Sequence, residues 1–323
     1  MKNRRSFVAT ALAAGVSSLA VPFGVSAQTK PLTIVVPYAA GGSVDAIARI
    51  VADRLKTVLG RTVLVDNKGG AGGRIGLSVL KGLPRDGSAV LLGAGGLVIN
   101  AIVFEDSSAF NFKKDFVAIS QLGRAPMALA VPFGSPSNTV QDLVKKFSQD
   151  NQFTYGTNGP ASFSHLVGLR FAKAVHLQAN PVAYQGGAPM ANDLMAGQIE
   201  SAIDTQADFV ERHKAKKIKV LASFGRERSD LLPDVPTMAE QGVPGVEGEL
   251  WFGFLAGSGE TPAFLRDVQE GVRKSLEDEV VKEKLRKLLT IDFKDAREFS
   301  EVIAKDFVTW TPVIDDVGLK NKK

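Results

Sequence analysis

Near its start the chain reads LTIVV-PYAAGG-SVDAIARIVADRLKTVLG over residues 32–60, and this stretch decides the fold. Its first five residues are apolar and mostly β-branched, which is the pattern of a strand buried on both faces. A glycine-rich loop follows, and apolar residues then recur at helical spacing from Val44 to Leu59, with Gly60 in the place of a C-cap. Strand, loop and helix in this order predict one βα unit of a parallel sheet.

The same alternation continues along the chain and predicts two α/β lobes. Further strands are predicted at 62–65, 89–92, 127–131, 153–155, 181–184, 218–222 and 250–256, and further helices at 140–147, 162–174, 189–196, 262–277, 279–289 and after 296. We expect the second lobe to be inserted into the first, with two crossing strands as a hinge. Lobe 1 is then residues 28–127 plus 252–323, and lobe 2 is residues 128–251.

Composition excludes several classes of protein. The 323 residues include no cysteine, which removes disulfide scaffolds, thiolate zinc sites and iron–sulfur clusters. Three of the 39 basic residues lie in segment 1–27 and three more in the last four residues, so 33 remain against 34 acidic residues. The net charge of +5 therefore indicates no basic face, and segments 145–146 and 214–219 are interpreted as solvated helix surface. We expect no nucleic-acid partner.

Residues 1–27 have the three regions of a secretory signal peptide, with basic residues, the apolar run 7–25 and a small-residue end at Ala27. We expect cleavage after Ala27 and a periplasmic mature protein. A membrane anchor is the alternative, but Pro22 and two glycines interrupt the apolar run. Arg4–Arg5 also resembles a twin-arginine signal, which leaves the export route open.

Loops of small and polar residues follow each of the three tyrosines, Tyr38, Tyr155 and Tyr184, which are predicted at strand-to-loop junctions. Ligands of open parallel sheets bind beyond the carboxyl ends of the strands, where such loops meet. Segments 41–43 and 159–162 precede predicted helices and are therefore candidate anion cradles on opposing lobes. The alternative is that they are ordinary βα turns in which glycine is needed only for its backbone φ angle.

Other motifs point to no cofactor and no metal. Residues 70–76 have a spacing close to a dinucleotide fingerprint, but Pro84 ends the following helix after about two turns, so we interpret them as a cleft loop. His165 follows Ser162 closely and could form a nucleophile and base, although a helix cap explains the spacing better. Asp45 lies in a first helical turn, where a structural role is the simpler interpretation.

Ordered motifs along the chain resemble those of Bug-type receptors, the extracytoplasmic substrate-binding proteins of tripartite tricarboxylate transporters. They are residues 37–49, 66–76, 84–87, 155–166, 183–197, 232–242 and 251–253. The resemblance implies a type II periplasmic-binding-protein fold: a Venus flytrap of parallel-rich sheets flanked by helices, with two hinge crossovers. It also implies a small organic carboxylate as ligand, a membrane permease as partner, a monomer, no cofactor and no reaction.

The family holds one carboxylate through backbone amides and waters, and lobe 2 selects the rest of the ligand. Carried over by motif, the implied ligand-binding residues are Tyr38, Ala40, Gly41, Gly42, Ser43, Asp45, Gly70, Ala71, Gly72, Thr157, Asn158, Ser162, Tyr184, Gln185 and Asp204. The chain departs from the usual family residues at several positions, mostly in lobe 2, so the identity of the ligand stays open. These positions are Ala40, Pro160–Ala161, Ala183 and Glu200–Ser201. Two other functions also stay open: a sensor subunit, and an exported enzyme with His165 or Asp204 as base.

Overall fold

The computed structural model describes residues 30–105, 109–184 and 186–320. The predicted signal peptide 1–27 and the predicted ligand contact Gln185 lie outside the described residues. The strands are β1 Leu32–Val36, β2 Val63–Asn67, β3 Ala89–Ala94, β4 Phe116–Pro132, β5 Gln152–Thr157, β6 Gln178–Ala183, β7 Ala202–Thr205, β8 Ile218–Ser223, β9 Glu249–Gly257 and β10 Thr290–Lys294. The helices are α1 Ser43–Leu59, α2 Arg74–Gly82, α3 Gly96–Val103, α4 Phe112–Asp115, α5 Val140–Phe147, α6 Phe163–Ala174, α7 Gly187–Met195, α8 Gln206–Lys214, α9 Pro262–Ser275, α10 Glu279–Arg286 and α11 Ala296–Asp316.

Two lobes share one long strand. In lobe 1, β1 pairs in parallel with β2 and β3, and β9 joins β3 to the first part of β4. In lobe 2, β5 pairs in parallel with β6 and β7, and β7 and β8 pair with the second part of β4. Strand β4 changes partners between Pro126, which pairs with β9, and Met127, which pairs with β7. The lobe boundaries at 127/128 and 251/252 stay a prediction.

The lobe-forming elements predicted from periodicity are present, whereas several elements without a clear period were missed. Helix α3 is one of them, because all of its residues from Leu97 to Val103 are buried and no polar face marks a helical period. Strand β7 has four residues, too few to show an alternation. The first half of β4 was missed because register shifts near Ser120 and Gly123 break its pattern.

Two predicted placements are wrong. Tyr155 does not stand at a junction: it lies inside β5, fully buried, with its ring stacked 4.7 Å from that of Phe153. Segment 214–219 was interpreted as a helix surface, but Lys214 ends α8 and Lys219 lies on β8. The basic charges are spread over a helix end, a turn and a strand. Within the described residues, none of the helices is long and apolar enough to cross a membrane.

The C-terminal helix connects the lobes. Trp310 of α11 packs edge-on against Phe163 at the start of α6, with ring centroids 5.1 Å apart. Phe163 and Trp310 belong to one hydrophobic cluster that also includes Leu97 of α3. Lobe 2 therefore rests on the end of α11 in addition to the crossing strands.

Substitution of Gly168 by alanine tests the packing of lobe 2. A Cβ at this α6 position would overlap the ring of Tyr155, whose hydroxyl donates to His165 O at 2.8 Å. Overpacking of a filled core costs about 1–3 kcal/mol, so we expect urea denaturation to give a free energy of unfolding lower by that amount. Gly82→Ala is the control, because a Cβ there would contact nothing within 4 Å. Equal stability of the two variants would contradict this packing.

Candidate functional site

A network of charged and amide groups holds the loop between β1 and α1. Asp45 is 4 % exposed and accepts hydrogen bonds from Gly41 N at 2.9 Å and Arg49 Nε at 3.1 Å. Arg49 also donates to Asn67 Oδ1 at 3.2 Å, and Asn67 Nδ2 donates to Tyr38 O at 3.2 Å. Burial alone would raise the pKa of Asp45, but the hydrogen bonds from Arg49 and Gly41 outweigh it and lower that pKa. Asp45 therefore positions this loop, and a direct ligand contact stays a prediction.

Substitution of Asp45 by asparagine is expected to lower the free energy of unfolding at pH 7 by about 1–2 kcal/mol. Because the folded-state pKa is lowered, the ionised carboxylate stabilises the protein above its unfolded pKa of about 4. This contribution is lost as the pH falls through the folded-state pKa. Chemical denaturation from pH 7 to pH 3 should therefore give a flatter curve for the variant. If the free energy of unfolding of the variant fell with decreasing pH as steeply as that of the wild type, the ionised Asp45 would not stabilise the loop.

The second loop has an unusual backbone. Gly70, Ala71, Gly72 and Gly73 all have positive φ angles, of 126°, 49°, 66° and 94°. Its tight turn is closed by a hydrogen bond from Gly73 N to Gly70 O at 3.0 Å, and Gly70 to Gly72 are exposed. The side chain of Asn100 lies directly beneath Gly72, where a Cβ would come within 2.7 Å of Asn100 Cγ. The loop therefore needs glycine at this position.

A third loop, in which Gly95 joins β3 to Gly96 at the start of α3, was not predicted from the sequence. Gly95 N donates to Trp251 O at 3.0 Å, and a Cβ at Gly96 would lie 3.9 Å from the Tyr38 hydroxyl. Because β1, β2 and β3 are parallel, their carboxyl ends meet at one edge of the sheet, where α1, α2 and α3 begin. The partial positive charge and free N–H groups of helix N-termini favour an anion there. The two-glycine spacing after β3 was the available signal for this loop.

In lobe 2, hydroxyl groups cluster after β5. Thr157 Oγ1 lies 2.8 Å from both Ser162 Oγ and Ser164 Oγ, and the two serine oxygens are 3.1 Å apart. Asn158 N donates to Ser164 Oγ at 3.1 Å. The structure thus brings Thr157 and Ser162 together in a shared hydrogen-bond network at the start of α6, and their contact with a ligand stays a prediction.

His165 takes part in the hydrogen bonds at the N-terminus of α6. Ser162 caps α6 by accepting the backbone N–H of His165 at 3.2 Å, and the ring Nδ1 of His165 accepts Ala161 N at 3.1 Å. Burial lowers the pKa of His165, which favours the neutral ring. The ring is therefore turned to the backbone rather than to Ser162 Oγ, and the capping interpretation is confirmed.

Two predicted contacts, Asn158 and Asp204, lie side by side. Asp204 is 1 % exposed, and its Oδ1 accepts Asn158 Nδ2 at 2.8 Å and Thr205 N at 2.9 Å. Burial raises the pKa of Asp204 well above its ordinary value, and the carboxylate of Asp208 raises it further. Asp208 in turn accepts the Thr205 hydroxyl at 2.5 Å. Sequence reasoning missed Thr205 and Asp208, because neither β7 nor the start of α8 was predicted.

Tyr184 follows β6 and is held by its own lobe. Its hydroxyl donates to Asp193 Oδ2 at 2.9 Å, and its backbone N donates to Thr157 O at 2.9 Å. Burial, together with the Asp193 carboxylate, raises the pKa of Tyr184 to about 12. The hydroxyl is thus engaged, and a ligand contact through it stays a prediction, as do the contacts of Ala40, Gly42 and Ser43 in the first loop.

Comparison with known proteins agrees with this arrangement. The sequence profile of the tripartite tricarboxylate transporter family receptor matches residues 47–319. A UPF0065 protein of Pseudomonas sp. (strain P51), encoded in the tcbD-tcbE intergenic region, is 30% identical over 311 residues, which cover 96% of this chain and 91% of that protein. Protein BugT of Bordetella pertussis is 27% identical and matches 98% of this chain and 96% of its own.

Solved structures show the same fold. The periplasmic binding protein BugD superposes with a TM-score of 0.81 at 26% identity, covering 90% of this chain and 99% of its own. An R. palustris protein, Rpa4515, solved with adipate, superposes with a TM-score of 0.83 at 28% identity, covering 90% of this chain and 98% of its own. The two-lobed α/β fold is therefore that of a periplasmic binding protein, and the chain belongs to the family of tripartite tricarboxylate transporter receptors.

Proposed function

We propose that the chain binds a small organic carboxylate, such as a di- or tricarboxylate or an aromatic acid, between its lobes and delivers it to a membrane permease. It acts as a monomer in the periplasm after removal of residues 1–27, and it catalyses no reaction. One observation carries this proposal. Six helices begin at the carboxyl ends of parallel strands: α1, α2 and α3 follow β1, β2 and β3 in lobe 1, and α6, α7 and α8 follow β5, β6 and β7 in lobe 2. Crossing strands join the two lobes. The carboxyl edge of the strands is where ligands of open α/β sheets bind.

The chemistry of lobe 1 supports an anion. Its loops offer backbone N–H groups and helix dipoles, and the carboxylate of Asp45 beside the first loop is already paired with Arg49 at 3.0 Å. The binding of adipate by a relative of the same fold, 28% identical, supports a carboxylate as the charged group. Lobe closure over this ligand follows the hinge motion of two-lobed receptors.

Thermal unfolding with a panel of organic acids tests the proposal. A ligand at about 100 times its Kd stabilises the folded state by about 2.7 kcal/mol, which is roughly 4 °C in Tm for a chain of about 300 residues. We expect at least one carboxylate to give such a shift in protein refolded free of ligand, and its uncharged amide to give none. A shift with amides but not with acids, or no shift across the panel, would contradict the proposal.

A further inference from the structure

Two hydrogen-bond acceptors in lobe 2 have no donor. Asp204 Oδ2 and Asn158 Oδ1 are both buried, and within the described part of the chain neither atom has a hydrogen-bond partner. The opposite atom of each group is engaged, because Asn158 Nδ2 donates to Asp204 Oδ1 at 2.8 Å. That bond fixes the orientation of the amide and leaves its oxygen as the free atom. We call Asp204 Oδ2 and Asn158 Oδ1 the acceptor pair.

Unpaired buried acceptors are rare in native proteins, since desolvation without a partner is unfavourable. Here the two atoms lie together at a carboxyl edge: Asp204 is near the end of β7, and Asn158 directly follows β5. The acceptor pair is therefore positioned where a ligand is expected to contact lobe 2.

Glycine keeps the space in front of the acceptor pair open. A Cβ at Gly187, the first residue of α7, would lie 2.5 Å from Asp204 Oδ2 and 3.8 Å from Asn158 Oδ1. The third of the three nearest atoms is Asp204 Cγ, at 3.6 Å, so all three belong to the side chains of Asp204 and Asn158. A small group could thus approach both oxygens at once.

The groups around Asp204 suit a donor on the ligand. Burial raises the pKa of Asp204, the carboxylate of Asp208 raises it further, and Arg212 on the same helix as Asp208 lowers it. Burial also raises the pKa of Asp208. The ionised form of Asp204 is therefore disfavoured while its Oδ2 has no partner, and an ammonium group placed there would stabilise that form. A hydroxyl group can donate to Asn158 Oδ1 in either protonation state of Asp204.

We infer that the ligand presents a hydrogen-bond donor, a hydroxyl or an ammonium group, to the acceptor pair in lobe 2. The inference rests on the proposed function, which places the ligand carboxylate against lobe 1. It narrows the ligand class to carboxylates that also carry a hydroxyl or ammonium group.

Calorimetric titration with matched acids tests this inference. The parent probes are straight-chain carboxylic acids of three to six carbons and benzoic acid. Each parent is compared with derivatives that carry a hydroxyl group, an ammonium group or a second carboxylate at the end opposite to the first carboxylate. We expect a hydroxy or ammonium acid to bind about 10- to 100-fold more tightly than its unsubstituted parent, the range of a hydrogen bond to a charged group. Binding of no acid in the panel would contradict the proposed function as well.

The Asp204→Asn variant makes the test specific to the acceptor pair. Its side chain can keep Oδ1 on Asn158 and Thr205 while it replaces the free acceptor Oδ2 by an N–H donor. We expect this variant to lose the preference for the hydroxy or ammonium acid and to keep the affinity for the unsubstituted parent. Asp208→Asn, in the first turn of α8, leaves both atoms of the acceptor pair in place and should keep the preference for the hydroxy acid.

Three outcomes overturn the inference while leaving the proposed function intact. They are equal affinity for substituted and unsubstituted acids, tightest binding of the dicarboxylates, and an unchanged preference in Asp204→Asn. Thermal unfolding of each variant shows whether it is folded. Asn158→Ala, which removes the unpaired Oδ1 of Asn158, gives a second route if Asp204→Asn fails to fold, and it should reduce the preference for the hydroxy or ammonium acid.

Discussion

Substitution of Gly72 by alanine is expected to lower the free energy of unfolding by about 2–4 kcal/mol and to weaken carboxylate binding at least about tenfold. The residue has a φ of 66°, and its Cβ would collide with the side chain of Asn100. Asn100 is 5 % exposed and donates to Gly96 O at 3.1 Å, in the first turn of α3. Its displacement would disturb the second and third loops of lobe 1 together, and with them the proposed carboxylate site.

A matched control separates the collision from the backbone strain. Gly60 has a φ of 61°, but a Cβ there would contact nothing within 4 Å. Gly60→Ala should therefore lower the free energy of unfolding only by the cost of the backbone strain, about 1–2 kcal/mol, and leave ligand binding unchanged. Chemical denaturation and calorimetry measure both quantities. If Gly72→Ala bound its ligand as the wild type does, the second loop would have no part in the site.

Substitution of Gly187 by alanine is expected to weaken ligand binding about 100-fold and to lower the free energy of unfolding by about 1–3 kcal/mol. The new methyl group would lie 2.5 Å from Asp204 Oδ2, so the side chain of Asp204 must shift and the space in front of it is filled. Residue 187 begins α7 without a positive φ, so alanine is compatible with the backbone there. Calorimetry measures the loss of binding, and chemical denaturation shows whether the variant is folded.

A double-mutant cycle checks the reason for this loss. Where Asp204 has already been changed to asparagine, the preferred interaction is absent, and Gly187→Ala should cost clearly less affinity than in the wild type. Additive losses in the cycle would mean that Gly187 and Asp204 contact different parts of the ligand, or that one of them contacts none.

The sequence predicted the elements whose patterns are local. The apolar run before Pro37 and the helical spacing from Val44 to Leu59 depend on neighbouring residues only, and β1 and α1 have the expected positions. The cap residues Gly60 and Ser162 were also predictable, because their roles follow from one turn of helix.

The remaining site residues depend on contacts between distant segments. Nothing near Asn100 in the chain indicates that it packs beneath Gly72, and nothing near Asp204 indicates that it accepts from Asn158, 46 positions away. Tyr155 shows the opposite error: a polar-tipped residue before a glycine suggested a cleft position, but its hydroxyl finds a partner in His165 O inside the core. The family motifs predict where the site lies, and the structure shows which of the predicted residues already have hydrogen-bond partners within the protein.

Native mass spectrometry of the protein purified from its own host, without denaturation, tests the central claim most directly. The small molecule released from the protein is identified by its mass and fragmentation. The account predicts one bound organic acid per chain, with a carboxylate and a separate hydroxyl or ammonium group. A bound molecule without a carboxylate would contradict the account.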